Sequence, residues 1–415
     1  MASVTGNHFP AFTTRQKARK EVCINEIIKV RKVTGFADRQ SLEAFMGVQE
    51  LTEISRYYGA NPEYVIAGGG NTSFKDEDTL YIKGSGASLA HMEPAQFVRM
   101  DRSKLGAVWE KDYPADPEKR EAAVLNDMMA ARCPGEEQKR PSVETLLHDL
   151  LPFAYVVHTH PGLVNGLTCS QEGEKAAARL FPNSIWIPSI NPGYILFRAV
   201  RDAAHAYKEK NAEEAAVIFL QNHGVFVGAD TVEGIKGLYG GIMDTLEGAS
   251  GRKPDFSGSR GPDEAGRNLG DTLRGLAEKS GGAWNVQFLY NREIAELIES
   301  KESFKPVSGP FSPDHIVYAG SDPLFLPDAG SAEEAWKRHV EKTGRIPKIV
   351  ACRKTGVFAL GNSEKAAAAA AELFLDAVKV SVYTESFGGP RFMREDQIDF
   401  INNWEVERYR SKVSG

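Results

Sequence analysis

Cysteines and long hydrophobic runs are scarce in this chain of 415 residues. The four cysteines, Cys23, Cys133, Cys169 and Cys352, include no C-x-x-C pair, so we expect reduced thiols and no disulfide framework. Every apolar stretch is shorter than the roughly 20 residues that a membrane-spanning helix needs. The opening residues MASVTGNHFPAFTTRQKARK lack the apolar centre of a secretory signal. These absences predict a cytoplasmic protein without a membrane partner.

The chain also lacks a block of basic residues. Its net charge is −6, with acidic and basic side chains interspersed, which argues against a nucleic-acid partner. Hydrophobic residues make up 42% and charged residues 26% of the sequence, as is typical of a globular protein. The length is enough for two or three domains, and a cytoplasmic enzyme is the expected class.

Helices and short strands alternate through the first 250 residues. Apolar residues recur near every 3.6 positions in DRQSLEAFMGVQELTEISRYY, and we expect residues 14–60 to be helical. The segments YVIAGGG, TSF, TLYIKG and FVRMD predict strands, and residues 116–132 predict a helix. AYVVHTH, WIPSI, AVIFLQ and VFVG are further predicted strands, the last two joined by an Asn-His-Gly turn. A helix is expected from about residue 230 to residue 247.

A segment rich in Gly, Ser, Pro and charge, ASGRKPDFSGSRGP, follows this first part of the chain. We therefore predict a catalytic domain at 1–250, a linker at 251–262 and a C-terminal α/β region at 263–415.

Two segments of the C-terminal region resemble earlier ones. SPDHIVYAGSDP parallels PNSIWIPSINPG, and PKIVACRKTGVFALGNSEK parallels AVIFLQNHGVFVGADTVEG. In the second copy Thr355 occupies the position of His223. One explanation is duplication followed by loss of the histidine and its chemistry. The other is convergence of the two segments on a common hairpin–helix plan.

Three histidines have a spacing that suits a metal ion. His158 and His160 end a predicted strand and face the same side of it, roughly 6.5 Å apart along the strand. His223, in the tight turn before a glycine, is the best candidate for a third ligand. Three histidines with one open position are typical of catalytic zinc. Ordinary strand-end and turn positions are the alternative explanation, because an Asn-His-Gly turn tolerates positive φ.

Glu144 lies in RPSVETLLHDLLPF, fourteen residues before His158. A helix after Ser142 would bring its carboxylate near the histidines, where it can bind a metal or transfer protons. Alone, it would be a first-turn acid favoured by the helix dipole. His148, one turn later, is predicted to be a packing or helix-surface residue and not a fourth ligand.

Two glycine-rich turns, GGGNTS from Gly68 and KGSGAS from Lys83, match neither the Walker pattern nor the dinucleotide fingerprint. Backbone N–H groups and hydroxyls in such turns can bind a phosphate, and Lys83 would add a positive charge. Plain β-turns are the alternative.

Taken together, the ordered motifs GGGNTS, KGSG, PSVE, VHTHP and QNHGV resemble the class II aldolase/adducin family over about residues 40–250. The KGSG turn and the long C-terminal half are most similar to the aldolase part of bifunctional rhamnulose-1-phosphate aldolase/lactaldehyde dehydrogenase proteins. No dinucleotide fingerprint follows residue 250, so we expect no fused dehydrogenase. The resemblance implies a three-layer α/β/α fold around a mostly antiparallel sheet, and a homo-oligomer. The C-terminal α/β segment would be a degenerate half-repeat.

The same resemblance assigns roles to individual residues. It implies that His158, His160 and His223 bind zinc and that Glu144 is the catalytic acid/base. The residues that it places around the substrate phosphate are Gly70, Asn71, Ser85, Gly86 and Ser142. Two positions depart from the family pattern: Val143 replaces a second serine, and Lys83 replaces an uncharged residue. A substrate that carries a carboxylate is therefore an alternative.

The implied reaction is retro-aldol cleavage of a small phosphorylated sugar, a ketose 1-phosphate similar to rhamnulose 1-phosphate. The products would be dihydroxyacetone phosphate and a small aldehyde such as lactaldehyde. Zinc would stabilise the enediolate, with cobalt or manganese as alternative metals. Alternatives on the same fold are a phosphopentose 4-epimerase and a decarboxylase or dehydratase of a small sugar acid or sugar phosphate.

An adducin-like scaffold is a further alternative, but it has no use for a complete open metal site. We also expect residues 263–415 to pack on the first domain and to shape or cover its site. Aromatic residues near the end of the chain, Trp404 and Tyr409 among them, are candidates either for a neighbouring subunit's site or for surface packing.

Overall fold

The computed structural model describes residues 39–404 of the chain. Contacts divide the chain into two compact units, Met1–Val48 and Gln49–Gly415. Of the first unit only residues 39–48 are described, and they belong to helix α1 (Arg39–Gly59). The predicted helical residues 14–38, together with Cys23 and Tyr409, lie outside the described residues. Both sheets and all other described helices belong to the second unit.

Seven strands form the larger sheet. They are β1 (Asn71–Lys75), β2 (Thr79–Lys83), β3 (Phe97–Asp101), β4 (Tyr155–Thr159), β5 (Ile185–Ile187), β6 (Val217–Leu220) and β7 (Gly224–Ala229). Their order across the sheet is β3-β2-β1-β4-β7-β6-β5. Every neighbouring pair is antiparallel except β5 and β6, which run parallel.

Helices cover both faces of this sheet. They are α2 (Arg102–Val108), α3 (Pro117–Ala130), α4 (Thr145–Leu150), α5 (Gly162–Thr168), α6 (Gly173–Leu180), α7 (Tyr194–Asn211) and α8 (Val232–Ala249). Side chains alternate along β4, so Val156 packs with Leu147 of α4 on one face, and Thr159 donates to the Tyr239 hydroxyl of α8 on the other. This confirms the predicted three-layer α/β/α fold with a mostly antiparallel sheet.

Most predicted elements of this region are present, but the predicted strand YVIAGGG is wrong. Residues 64–70 form turns. Ala67 and Gly70 have positive φ values of 51° and 69°, which an extended strand does not accommodate. A Cβ on Gly70 would lie 2.8 Å from the His158 carbonyl oxygen. The glycine run is therefore a turn that brings the start of β1 against the end of β4.

The C-terminal region contains a second sheet. Its strands are β8 (Asn285–Leu289), β9 (Leu324–Leu326), β10 (Ile349–Cys352) and β11 (Gly356–Gly361), in the order β8-β11-β10-β9. The helices of this region are α9 (Glu264–Glu278), α10 (Arg292–Leu297), α11 (Lys301–Phe304), α12 (Ala332–Thr343), α13 (Glu364–Thr384) and α14 (Glu395–Asn403). Phe358 packs with α9 and α12, whereas Val357 packs with α10 and α13, so helices again cover both faces.

Helix α13 packs against helix α5, one of the helices that cover the larger sheet. A Cβ on Gly166 would lie 2.3 Å from Tyr383 Cβ, so the two helices are in close contact. Ala367, Ala370 and Ala371 of the predicted alanine run are buried. Residues 250–263, between α8 and α9, contain no helix or strand. The domain boundaries at residues 250 and 262 stay a prediction.

The second sheet has the same strand order as four of the seven strands of the first. Strands β4 to β7 are arranged as β4-β7-β6-β5, and strands β8 to β11 as β8-β11-β10-β9, each with one parallel pair. The predicted parallel between SPDHIVYAGSDP and PNSIWIPSINPG does not extend to secondary structure, because Ile185–Ile187 form a strand whereas His315–Ala319 form a π-helical turn. The parallel strand is β9 instead. Three apolar residues in a row suit a helical turn as well as a strand.

Within the described part of the chain, no helix has the length and apolar character needed to cross a membrane. Cys133, Cys169 and Cys352 are free thiols, as expected.

Candidate metal centre and its cleft

The three predicted histidines meet at one end of the larger sheet. His158 lies in β4, His160 follows that strand, and His223 lies in the turn between β6 and β7. Strand β4 pairs directly with β7, with Thr159 opposite Val225, which brings the β6–β7 turn next to His160. The Nε2 atoms of His158 and His160 are 2.9 Å apart, and one ligand atom from each histidine lies within 4.8 Å of the others.

Hydrogen bonds fix the orientation of two of these imidazoles. The Nδ1–H of His158 donates to the carbonyl oxygen of Val225 over 2.9 Å. The Nδ1–H of His160 donates to Oδ2 of Asp314 over 2.6 Å. Both acceptors lack a proton to give, so Nε2 carries the lone pair in each ring. With both rings neutral, these two Nε2 atoms, 2.9 Å apart, can bind one metal ion, and in the metal-free protein a proton between them can join them instead.

His223 completes the group. Burial, against the opposing effect of the nearby Glu144 carboxylate, lowers the pKa of His223 to about 3, so its imidazole is neutral at ordinary pH. Neutral imidazole is the form that binds metals. Among the residues that the structure describes, these three histidines are the one group of histidine, cysteine or acidic side chains close enough to share an ion.

Glu144 faces the three histidines. It is the N-cap residue of α4, with Oε1 at 3.4 Å from His158 Nε2 and 3.5 Å from His223 Nε2. Oε1 is buried and has no hydrogen-bond partner in the structure. Oε2 accepts a hydrogen bond of 2.6 Å from Asn71 Nδ2. A buried carboxylate oxygen held in this way needs a cation or a proton near it.

Asn71 is held in turn by His148. The ring Nε2 of His148 bonds Asn71 Oδ1, and Ser73 Oγ lies 2.7 Å from the ring Nδ1. Burial holds the pKa of His148 well below its usual range, so Nε2–H donates and Nδ1 accepts from Ser73. Lys75 Nζ donates to the carbonyl oxygen of His148 over 2.6 Å. Of the two predicted roles of His148, packing and helix surface, the structure confirms packing: the ring is fully buried against Phe226, and it also supports Asn71 and through it Glu144.

The residues predicted to bind phosphate line one cleft with Glu144, His160 and His223. They are Gly70, Asn71, Lys83, Ser85, Gly86 and Ser142. The cleft is open to solvent. Val143, which departs from the family pattern, also lines it.

Two loops are joined by backbone hydrogen bonds and form the wall that carries these polar groups. Ser142 N–H donates to the carbonyl oxygen of Lys83 over 3.0 Å, and Ser85 N–H donates to that of Arg140 over 2.8 Å. Ser142 Oγ accepts from Glu144 N–H at 3.3 Å, which links this wall to the carboxylate. A lysine and two hydroxyls are thus held beside the histidine group, an arrangement that suits an anionic substrate.

The C-terminal region contributes residues that sequence reasoning assigned elsewhere or missed. Pro313 and Trp404 line the cleft, so Trp404 faces a site of its own chain. Asp314, which bonds His160, was not a candidate. The separation of 154 residues between Asp314 and His160 leaves no local pattern that would have found the contact.

Residues 49–238 match the family model described as Class II Aldolase and Adducin N-terminal domain. An uncharacterized oxidoreductase of Bacillus subtilis (strain 168), YuxG, is 28% identical over 197 residues, which are 45% of this chain and 27% of that protein. This chain therefore matches about a quarter of the length of that curated relative.

Two solved structures are similar to the same part of the chain. The N-terminal class II aldolase domain of a conserved protein from Thermoplasma acidophilum is 25% identical, with a TM-score of 0.41, and the match covers 48% of this chain and 92% of that one. YgbL from Escherichia coli, titled a putative aldolase/epimerase/decarboxylase, is 17% identical with a TM-score of 0.34, covering 48% of this chain and 86% of that one.

Proposed function

We propose that this chain, whose residues 49–238 belong to the class II aldolase/adducin family, is a zinc-dependent aldolase. Its substrate is a small ketose 1-phosphate of the rhamnulose 1-phosphate type. Retro-aldol cleavage gives dihydroxyacetone phosphate and a small aldehyde. Zinc is the metal that three imidazole ligands with an open position suit best, and other divalent metals bind such a set as well.

One observation carries this proposal: an unbonded carboxylate oxygen of Glu144 faces three imidazole Nε2 atoms. Oε1 lies 3.4 Å and 3.5 Å from two of them, and Asn71 holds the other oxygen away. This combination places a proton-transferring group next to a site for an electrophile. A protein that only binds partners has no need for either.

The histidines, Glu144 and the residues that hold Glu144 have separate roles in the proposed cleavage. A divalent metal on His158, His160 and His223 would supply the electrophile that stabilises negative charge on substrate oxygens. Glu144 Oε1 accepts the proton of the substrate hydroxyl that becomes the aldehyde carbonyl, and returns it to the carbon that loses its bond to the departing aldehyde. Asn71 keeps Oε2 bonded, so the proton moves on Oε1 alone. His148 keeps Asn71 in place from the side away from the cleft.

The other polar groups of the cleft hold the substrate. Lys83, Ser85 and Ser142 provide one positive charge and two hydroxyls for the phosphate, with backbone N–H groups near Gly70 and Gly86. Leu196, Phe197 and Trp404 supply apolar walls of the same cleft, against which the carbon chain of the substrate can pack.

The test is release of dihydroxyacetone phosphate, measured in a coupled assay with a panel of ketose 1-phosphates that includes rhamnulose and fuculose 1-phosphate. Zinc-loaded protein is compared with the same protein after treatment with a chelator. We expect release from at least one substrate, loss of release with the chelator, and recovery when zinc is added. Zinc-loaded protein that releases no dihydroxyacetone phosphate would contradict the proposal.

The rival reactions give different products in the same experiment. A phosphopentose 4-epimerase would convert one pentose phosphate into its C4 epimer without net cleavage. A decarboxylase would release carbon dioxide from a sugar acid, and a dehydratase would give a product that has lost water. A cytoplasmic homo-oligomer also stays a prediction, and light scattering of the purified protein measures the subunit number.

A further inference from the structure

The C-terminal region reaches the proposed metal centre through one carboxylate. Asp314 Oδ2 accepts the Nδ1–H of His160 over 2.6 Å, and both side chains are largely buried. Asp314 lies outside residues 49–238, the part of the chain that matches the family model. The contact is therefore a feature of the additional region and not of the family domain.

This hydrogen bond determines what His160 offers to a metal. A carboxylate only accepts, so it keeps the proton on Nδ1 and leaves the lone pair on Nε2. It also fixes the rotation of the ring, with Nε2 directed at the Nε2 of His158. A negative charge on this side of the imidazole increases its basicity as a ligand.

The residue next to Asp314 is held in place by buried contacts. The next residue, His315, bonds Ser312 Oγ through Nδ1 at 2.8 Å, and its Nε2 lies 3.4 Å from Asp376 Oδ2 of helix α13. Helix α13 packs on helix α5, which begins two residues after His160. Asp314 thus approaches His160 from a turn that is anchored to the same helix pair.

The turn that carries His223 is bound to the C-terminal region as well. Asn222 is in the left-handed conformation, with φ 57°, and its Nδ2 donates to the carbonyl oxygens of Phe311 and Arg391 at 3.0 Å and 2.8 Å. Two of the three histidines therefore depend for their position on residues from the C-terminal region.

We propose that Asp314 is a positioning residue for the metal site: through His160 it makes metal affinity depend on the C-terminal region. This proposal rests on the proposed function, because it needs the three histidines to bind a metal. Removal of such a carboxylate partner of a histidine ligand lowers metal affinity by about 10- to 100-fold in other proteins, and we expect a change of that size here.

The test measures metal binding and not catalysis. Metal-free wild type, Asp314→Ala and Asp314→Asn are titrated with zinc in competition with a chromophoric chelator, and with Co²⁺ by visible absorption. Asp314→Ala should bind zinc about 10- to 100-fold more weakly, with a changed Co²⁺ spectrum. Asp314→Asn keeps an acceptor oxygen and nearly the same shape, so it should lose less affinity. Its spectrum should stay close to that of wild type.

The matched control is Asp328→Asn. Asp328 is an exposed N-cap residue in the same region and accepts a hydrogen bond from Ser331 N–H, outside the turn that carries Asp314. This variant should bind zinc like wild type. Equal zinc affinity of wild type and Asp314→Ala would overturn the positioning role and leave the proposed function intact. Failure of the wild type to bind any metal would overturn both.

Discussion

The hairpin β6–β7 and the hairpin β10–β11 have the same backbone plan and different side chains. In each, the third residue of the turn has φ near 60°, Asn222 at 57° and Lys354 at 59°. The next N–H then bonds back across the turn, from His223 to Leu220 O and from Thr355 to Cys352 O, both at 3.1 Å. Both hairpins are flanked by one antiparallel and one parallel strand.

The register of the flanking strands identifies the counterpart of each histidine. His158 lies opposite Phe226 in the first sheet, and Phe288 lies opposite Phe358 in the second. Counting along the strands then places Tyr290 at the position of His160, and Thr355 at that of His223. The second hairpin thus has none of the three imidazoles. Shared strand order and matched turns favour duplication over convergence, which stays a hypothesis.

A different cation lies at this place in the second sheet. The guanidinium of Arg260 lies 3.8 Å from the centre of the Tyr290 ring, and one of its nitrogens lies 3.4 Å from the carbonyl oxygen of Thr355. Arg260 comes from the segment between α8 and α9. The comparison teaches that the hairpin plan brings three positions together, whereas the side chains at those positions decide whether the place suits a metal ion or contacts a guanidinium.

The largest effect expected from this comparison is the difference between His223→Ala and Thr355→Ala. The first removes a proposed metal ligand and should lower zinc affinity by more than about 100-fold, beyond the range seen for supporting residues. The second changes an equivalent turn residue without metal chemistry, and should alter stability by no more than about 0.5 kcal/mol. Zinc content after dialysis measures the first, and urea unfolding the second. Retention of zinc by His223→Ala would show that the metal centre is wrongly assigned.

The next effect separates catalysis from metal binding within the first sheet. Glu144→Gln keeps the shape of the side chain but cannot carry the proton, so kcat should fall by about 10²- to 10⁴-fold while zinc remains bound. The control is Glu137→Gln, on an exposed loop residue a few positions earlier, which should be fully active. Zinc analysis accompanies the kinetics. An active Glu144→Gln enzyme would exclude Glu144 as the acid/base.

Each sheet region also contains a buried lysine bonded to a backbone carbonyl. Lys75 Nζ donates to His148 O and Lys348 Nζ donates to Val317 O, at 2.6 Å and 2.7 Å. Burial lowers the pKa of Lys75 to about 7 and that of Lys348 to about 8. Between these values and the unfolded value of 10.5, the unfolded chain binds more protons than the native one, so stability should rise with pH.

The two lysines can be told apart by the pH at which this rise begins. Between pH 7 and 8 the contribution of Lys75 should dominate, with a slope of up to about 1.4 kcal/mol per pH unit. Lys75→Met should lose this part of the slope, whereas Lys348→Met should lose the part above pH 8. Urea unfolding at intervals from pH 7 to 9.5 measures both. Parallel curves for wild type and Lys75→Met would contradict the assignment.

Local sequence patterns predicted the parts of the fold and of the candidate metal centre that depend on neighbouring residues. His158 and His160 are two residues apart in a strand, so period-two geometry puts them on one side, and the Asn-His-Gly turn marks the hairpin. Asp314 could not be predicted, because its contact with His160 depends on how α13 packs on α5. The support that His148 gives to Asn71 was missed for a similar reason, since it follows from the packing of α4 against β1.

The smallest effect tests the packing that joins the two regions. A methyl group on Gly166 of α5 would lie 2.3 Å from Tyr383 Cβ of α13, so Gly166→Ala forces the helices apart and should cost about 1–3 kcal/mol of unfolding free energy. Gly241 of α8 has open space around it, and Gly241→Ala should instead stabilise by about 0.5–1 kcal/mol because alanine favours helix. Thermal unfolding of both variants measures the difference. A Gly166→Ala protein as stable as Gly241→Ala would mean that α5 and α13 are not closely packed, and it would remove the anchor on which the position of Asp314 depends.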